Sequence, residues 1–215
     1  MMPVDFDLYL ITDCSQAKSG NLIETVEAAL HGGVRAIQLR EKNLSSHELY
    51  QLAREFRSLT SRFKARLFIN DRIDIALAVD ADGVHLGENS IPTAAARDLL
   101  GKDKLIGVSC HSLERAVTAE ASGGDFITFG PVFFTPSKAC YGDPVGLVRL
   151  AETVAGLTIP VFGLGGVTSG NLQQVLDSGA HGIALISAII AAEQPQQAAE
   201  GVLSTLRRIK TTLQS

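Results

Sequence analysis

The chain has 215 residues, 46% hydrophobic and 20% charged, with a net charge of −4 and a pI of about 5.7. That is enough apolar material for one large domain or two small ones, and the acidic balance leaves no electrostatic footprint for nucleic acid. No apolar run approaches the roughly 20 residues of a membrane span. The acidic start, MMPVDFDLYL, lacks the basic leader of a secretory signal. A cytoplasmic protein is expected, without nucleic-acid or membrane partners and compatible with a homo-oligomer.

In chain order, Asp7 to Thr12 reads as an apolar strand ending in Asp13. Asn21 can cap a helix in which Leu22, Val26, Ala29 and Leu30 recur at helical spacing, closed by Gly32-Gly33. Val34 to Leu39 is a second strand, ending in Arg40, Glu41 and Lys42. Ser45 or Ser46 caps the next helix, whose stripe includes Leu49, Leu52, Phe56, Leu59 and Phe63. The run RLFINDRIDIALAVDADGVHLG (66–87) is a strand–helix–strand unit. Its first strand, Arg66 to Ile69, delivers Asn70 and Asp71 at its end, and its second is Val84 to Leu86.

Ile91-Pro92 opens a helix through Leu100, and Leu105 to Ser109 is strand five. His111-Ser112 leads into a helix with Leu113, Ala116, Val117 and Ala119. Asp125 to Gly130 is strand six, followed by a long loop from Pro131 to Pro144 and a helix from Gly146 to Ala155. Ile159 to Leu164 is strand seven, Leu172 to Ser178 a helix, Gly182 to Ile186 strand eight, and Gln194 to Thr211 a closing amphipathic helix.

GGVRAIQLR, ADGVHLG, SGGDFITFG and SGAHGIALIS each run from a small-residue helix end straight into an apolar strand. That is the αβ connection of a repeating (βα) unit. The strands are continuous apolar runs, as when both faces are covered. The pattern predicts an α/β fold, a compact single-domain (β/α)8 TIM barrel over 1–215. The runner-up, an open doubly wound sheet, lacks its Gly-rich fingerprint, since the first turn reads TDCSQAKSG. The three cysteines, Cys14, Cys110 and Cys140, are far apart and lack CxxC spacing. Neither a disulfide framework nor a zinc site is indicated, and small thiols at or beside buried strands are expected.

In such a barrel the strand-end residues share one rim. Gln38, Arg40 and Lys42 project the same way along strand two, with Gln38 into the mouth. A polar rim with several cations suggests an anionic small substrate; the alternative is that Arg40, Glu41 and Lys42 are only a solvated loop. Gly165-Gly166 and Ser187-Ala188 fit a barrel phosphate site, or else are merely tight turns. In the loop GPVFFTPSKACYGDPVG, Thr135 and Ser137 offer hydroxyls and Lys138 a charge for gripping phosphate. Asp71 is a candidate Mg²⁺ ligand, or alternatively a cap for the following helix. His111 alone reads more readily as structural than as a base, and His85 as core.

LYLITD (8–13), QLREK (38–42), LFINDR (67–72), ADGVHLG (81–87), IGVS (106–109), GPVF.TPSK (130–138), GLGGV (163–167) and ISAI (186–189) occur in order along nearly the whole chain. Together they resemble the thiamin phosphate synthase family, including its thiazole tautomerase branch. The resemblance implies a barrel that joins a pyrimidine methyl pyrophosphate to a thiazole phosphate with release of pyrophosphate. By resemblance Gln38, Arg40, Lys42 and Asn70 grip the pyrimidine pyrophosphate, Asp71 binds Mg²⁺, and Ser109 touches the pyrimidine or pyrophosphate. Thr135, Ser137 and Lys138 line the thiazole phosphate and pyrophosphate region, and Gly166 and Ser187 hold the thiazole phosphate. A dissociative step builds positive charge on the pyrimidine methylene and negative charge on pyrophosphate, and preorganised cations favour that transition state.

One departure stands out. Where the synthase pattern continues Gln-Glu-Asp after VHLG, this chain has Glu88-Asn89-Ser90, so Ser90 takes the place of the second metal carboxylate and Glu88 becomes the substitute ligand. The tautomerase branch needs no such metal and uses a histidine after strand five, where His111 stands. The intact QLREK and TPSK grips favour the synthase. A metal-independent tautomerase and a non-catalytic phosphate-ligand barrel are the alternatives.

Overall fold

A computed structural model of the chain describes residues 3–135 and 143–213. Eight strands pair in parallel in chain order and close into a barrel: β1 (Leu8–Ile11), β2 (Ala36–Leu39), β3 (Arg66–Asn70), β4 (Gly83–Leu86), β5 (Leu105–Cys110), β6 (Phe126–Phe129), β7 (Val161–Leu164) and β8 (Gly182–Leu185). β8 returns to β1 with Leu8 opposite Ile183 and Leu10 opposite Leu185. Around them lie α1 (Leu22–His31), α2 (Ser46–Arg62), α3 (Ile73–Ala78), α4 (Thr93–Leu100), α5 (Leu113–Ala121), α6 (Gly146–Ala155), α7 (Leu172–Asp177), α8 (Ser187–Ile190) and α9 (Pro195–Leu213). The predicted barrel is therefore the fold, and the open sheet is not.

The helices start where side chains satisfy their free amides. Asn21 Oδ1 accepts from Ile23 and Glu24, and Ser45, rather than Ser46, forms a reciprocal capping box with Glu48. Pro92 occupies the cap position itself, so α4 begins one residue later, at Thr93. A 3-10 turn at Cys14–Gln16 and the four-residue α8 were not anticipated; elements that short carry no periodicity.

The strands are covered on both faces. Outward residues such as Leu10, Ile37, Leu67 and Ile69 pack under the helices, whereas inward residues form a second cluster of Phe6, Tyr9, Ile11, Ala36, Phe68, Leu105, Phe126, Phe162 and Ala184. The Phe6 ring lies 5.2 to 5.8 Å from the rings of Tyr9, Phe68, Phe126 and Phe162, within the favourable range for aromatic pairs. Glycines make room for them: a Cβ at Gly107 would lie 2.4 Å from Phe126 Cζ, and one at Gly182 2.9 Å from Phe162 Cε1. Because Phe6 precedes β1, this aromatic plug fills the amino-terminal end of the barrel and leaves the carboxyl end for polar groups.

Two αβ turns are closed by the same device. Asp82 accepts hydrogen bonds from Leu67 N–H and Arg57, and Asp125 from Ile106 N–H and Arg97, at 2.5 to 2.8 Å.

Candidate active site at the barrel mouth

Above the aromatic plug, inward positions turn polar. The Gln38 amide donates to the Tyr9 oxygen at 3.3 Å, and the Tyr9 hydroxyl lies 3.3 Å from His85 Nδ1. His85 Nε2 is 3.0 Å from Ser109 Oγ and 3.2 Å from Thr128 Oγ1. With Gln38 donating to the Tyr9 oxygen, the Tyr9 hydrogen is left for Nδ1, and the Nε2–H tautomer faces Ser109 and Thr128. Burial, then the nearby Arg40 charge, holds the His85 pKa down to about 3. Burial also pushes the Tyr9 phenol well above its usual value. The floor of the mouth is thus an uncharged, fully hydrogen-bonded layer, and His85, expected as core, is part of it.

The β2 rim follows the predicted alternation. Gln38 is buried, Arg40 half-buried close enough to bias His85, and Lys42 exposed. Between them Glu41 turns the other way and is only 8% exposed. Its carboxylate accepts from Thr12 Oγ1 at 2.6 Å and from Cys14 N–H at 3.0 and 3.2 Å, and Thr12 Oγ1 in turn accepts the Arg40 amide at 2.9 Å. The QLREK stretch is therefore not simply a solvated loop.

On β3, Asn70 sits opposite His85 of β4 on the inward side. Asp71 follows in the left-handed region at φ 66, its amide donating to the His85 carbonyl at 2.9 Å. The cap position of α3 is Arg72, not Asp71, and no side chain caps that helix. Among the described residues no hydrogen bond or ion pair reaches the exposed Asp71 carboxylate. Glu88 is drawn elsewhere, its carboxylate 3.8 Å from Arg115 Nη1 of α5. The Ser90 hydroxyl is spent on the turn, accepting the Gly87 amide at 2.7 Å.

Across the mouth, exposed His111 donates from Nδ1 to the Gly130 carbonyl. A carbonyl can only accept, so Nε2 is its basic nitrogen. Val132 and Phe133 extend the β6–β7 pairing by donating to Leu164 and Gly165 carbonyls at 2.8 and 3.0 Å. Gly165 and Gly166 have φ of 94 and 64, and a Cβ at Gly166 would lie 2.7 Å from the Phe134 carbonyl, so the turn requires glycine. Asn171 fixes it, accepting from Thr168 N–H and donating to the Gly166 carbonyl at 2.7 and 2.9 Å. No described residue accepts a hydrogen bond from the Gly165 or Gly166 amides. Ser187 is the exposed first residue of α8, and half-buried Thr135 ends the described part of the β6 loop. Ser137 and Lys138 lie outside the described residues, as does Cys140.

Cys110, on β5, is buried, and burial pushes its thiol up to about 12. Cys14, three residues beyond the buried strand β1, is exposed; the hydrogen bond to Glu41, then burial, raises its pKa to about 11. Tyr9, Thr128 and Glu41 were not singled out beforehand. Period-two alternation through Gln38 and Ser109 was the signal for the first two.

Residues 8–189 match the thiamine monophosphate synthase family. A Geobacter sulfurreducens relative, provisionally named a thiamine-phosphate synthase, is 58% identical over 96% of this chain and 97% of its own. The thiamine-phosphate synthase of Desulfitobacterium hafniense (strain Y51) is 42% identical over 96% of this chain and all of its own. Among solved structures, the thiamine phosphate pyrophosphorylase of Pyrococcus furiosus superposes with a TM-score of 0.87 at 38% identity, covering 94% of this chain and 96% of that one. The family match over most of the chain, the relatives aligned over nearly their whole lengths and the shared barrel establish that the chain belongs to the thiamine monophosphate synthase family and acts in thiamine biosynthesis as a thiamine-phosphate synthase, a transferase.

Proposed function

We propose that the mouth binds hydroxymethylpyrimidine pyrophosphate across β2 and β3 and thiazole phosphate across β7 and β8. The observation that carries this reading is the shared inward register of Gln38, Asn70 and Ser109, with Arg40 above them and the Gly165–Gly166 turn opposite. Gln38 and Ser109 offer hydrogen bonds to the pyrimidine over the neutral His85 floor. Arg40, Lys42 and Asn70 hold the diphosphate, and their charges favour its departure as the methylene carbon becomes cationic. The Gly166 amide and Ser187 hold the thiazole phosphate, placing the ring nitrogen to capture that carbon. Thr135, Ser137 and Lys138 complete the anion grip, and the Nε2 of His111 is available for proton transfer at the rim.

Asp71 fits a Mg²⁺ site that is finished by substrate. Its carboxylate is a hard oxygen donor that no described residue hydrogen-bonds or ion-pairs, with the Arg72 charge nearby, and Mg²⁺ characteristically takes one or two carboxylates plus phosphate oxygens and water. Among the described residues no group of three or more His, Cys, Asp or Glu can hold a metal, so Asp71 would hold it only together with oxygens of the bound diphosphate and water. Glu88, exposed on the neighbouring loop, would be the second carboxylate. Held there, Mg²⁺ would supply positive charge to the leaving diphosphate. The reaction belongs in the cytoplasm.

The test is an assay with both substrates and Mg²⁺ on the purified protein, its Arg40→Ala variant and its Asp71→Asn variant. The reading expects thiamine phosphate and pyrophosphate in equal amounts from the first, with kcat/KM lowered ~10²-fold or more in each variant, the scale of losing one preorganised electrostatic group. Variants as active as the parent would refute these assignments.

A further inference from the structure

Glu41 lies between two residues of the proposed diphosphate grip, yet it points away from the mouth. It carries a formal negative charge in a nearly buried site, and among the described residues no lysine or arginine pairs with it. Burying a carboxylate without a cation is costly unless hydrogen bonds satisfy it. Here three donated contacts do so: one from Thr12 Oγ1 and two from the Cys14 amide, shared by both oxygens.

The arrangement has a geometric consequence. Regular β1–β2 pairing ends with Ile11 opposite Gln38, and Thr12 N–H donates to the Gln38 carbonyl at 2.9 Å. Beyond that point the two segments are joined by the Thr12 hydroxyl, which accepts the Arg40 amide and donates to Glu41, and by the Cys14 amide, which donates to the same carboxylate. The hydroxyl has one hydrogen, so its donation to Glu41 sets which lone pair faces Arg40. The backbone of residues 40 and 41 is held at both positions, and the flanking side chains have little freedom at their roots. An amide would reproduce this only in part: with its oxygen in the Oε1 position it still accepts from Thr12 and Cys14, but its NH₂ takes the Oε2 position and faces the Cys14 N–H, donor against donor.

We propose that Glu41 is a positioning residue, whose buried carboxylate fixes the end of β2 so that Arg40 and Lys42 stand ready for the diphosphate. The inference deepens the proposed function and rests on Arg40 contacting the diphosphate. Misplacement of a charged group by about 1 Å is enough to lower a rate ~10²-fold, so the support need not touch substrate to matter.

The experiment compares the parent with Glu41→Gln, Glu41→Asp, Thr12→Val and Arg40→Ala. Inorganic pyrophosphate binding is measured by calorimetry with Mg²⁺ present, and steady-state kinetics are measured for each substrate. Glu41→Gln is expected to weaken pyrophosphate binding about tenfold and to lower kcat/KM for the pyrimidine diphosphate by ~10–10², leaving KM for the thiazole phosphate within about twofold. Thr12→Val should give the same pattern, and the double variant should be no worse than either single one. Glu41→Asp should recover part of the binding.

A Glu41→Gln protein that is folded by circular dichroism yet binds pyrophosphate like the parent, while Arg40→Ala does not, overturns the positioning role alone. Unchanged binding in Arg40→Ala overturns the diphosphate grip beneath it. If Glu41→Gln does not fold, Thr12→Val decides the matter by the same two readouts.

Discussion

The Tyr9 hydroxyl lies 3.3 Å from His85 Nδ1, inside a barrel whose lower half is aromatic and whose upper half is polar. This contact marks the level at which packing gives way to chemistry.

It leads to a pH prediction. The folded-state pKa of His85 is lowered to about 3, against 6.5 for an unperturbed ring. Between those values the unfolded chain binds a proton that the folded chain refuses, so stability rises with pH through this window and is flat above it. Denaturant titrations should show stability falling from about pH 6.5 toward pH 3. His85→Gln should flatten that slope, and His85 should contribute no step to the activity profile between about pH 6 and 9.

Gly166→Ala introduces a Cβ 2.7 Å from the Phe134 carbonyl at a residue whose φ is 64. We expect a stability loss of about 1–3 kcal/mol and a raised KM for the thiazole phosphate. Gly170→Ala, where the nearest atom is Thr168 Oγ1 at 3.8 Å, is the control and should change neither quantity.

Asp71 occupies left-handed backbone, which asparagine tolerates and alanine does not. Asp71→Asn should therefore keep the parent melting temperature while raising the Mg²⁺ concentration needed for half-maximal rate. Asp71→Ala should do the same to Mg²⁺ and also cost about 1–2 kcal/mol in unfolding experiments. Equal Mg²⁺ curves for all three proteins would remove Asp71 from the metal site.

Cys14 is exposed but its thiol is raised to about 11 through Glu41. The thiolate is the reactive species, so alkylation of the Cys14 peptide at pH 8, followed by mass spectrometry, should run ~10²-fold slower than that of a free thiol. Glu41→Gln should accelerate it.

The barrel was readable because each βα unit repeats one local signal, a small-residue helix end running into an apolar strand. The inward course of Gln38 and Arg40 followed from strand alternation alone. Glu41 was not readable, because its partners Thr12 and Cys14 belong to another strand and become neighbours only once β1 and β2 are in register. Arg115, which α5 brings to 3.8 Å from the Glu88 carboxylate, was not readable either, because the two residues become neighbours only in the folded barrel. β2 is shorter than its apolar run, since the run from Val34 to Leu39 begins before the ladder does.

A crystal structure of the protein with pyrophosphate and Mg²⁺ would locate the reaction. The account expects pyrophosphate at the carboxyl end of the barrel, within hydrogen-bond distance of Arg40 and Asn70, with Mg²⁺ bridging it to Asp71. Pyrophosphate bound away from Arg40, or Mg²⁺ held without Asp71, would contradict it.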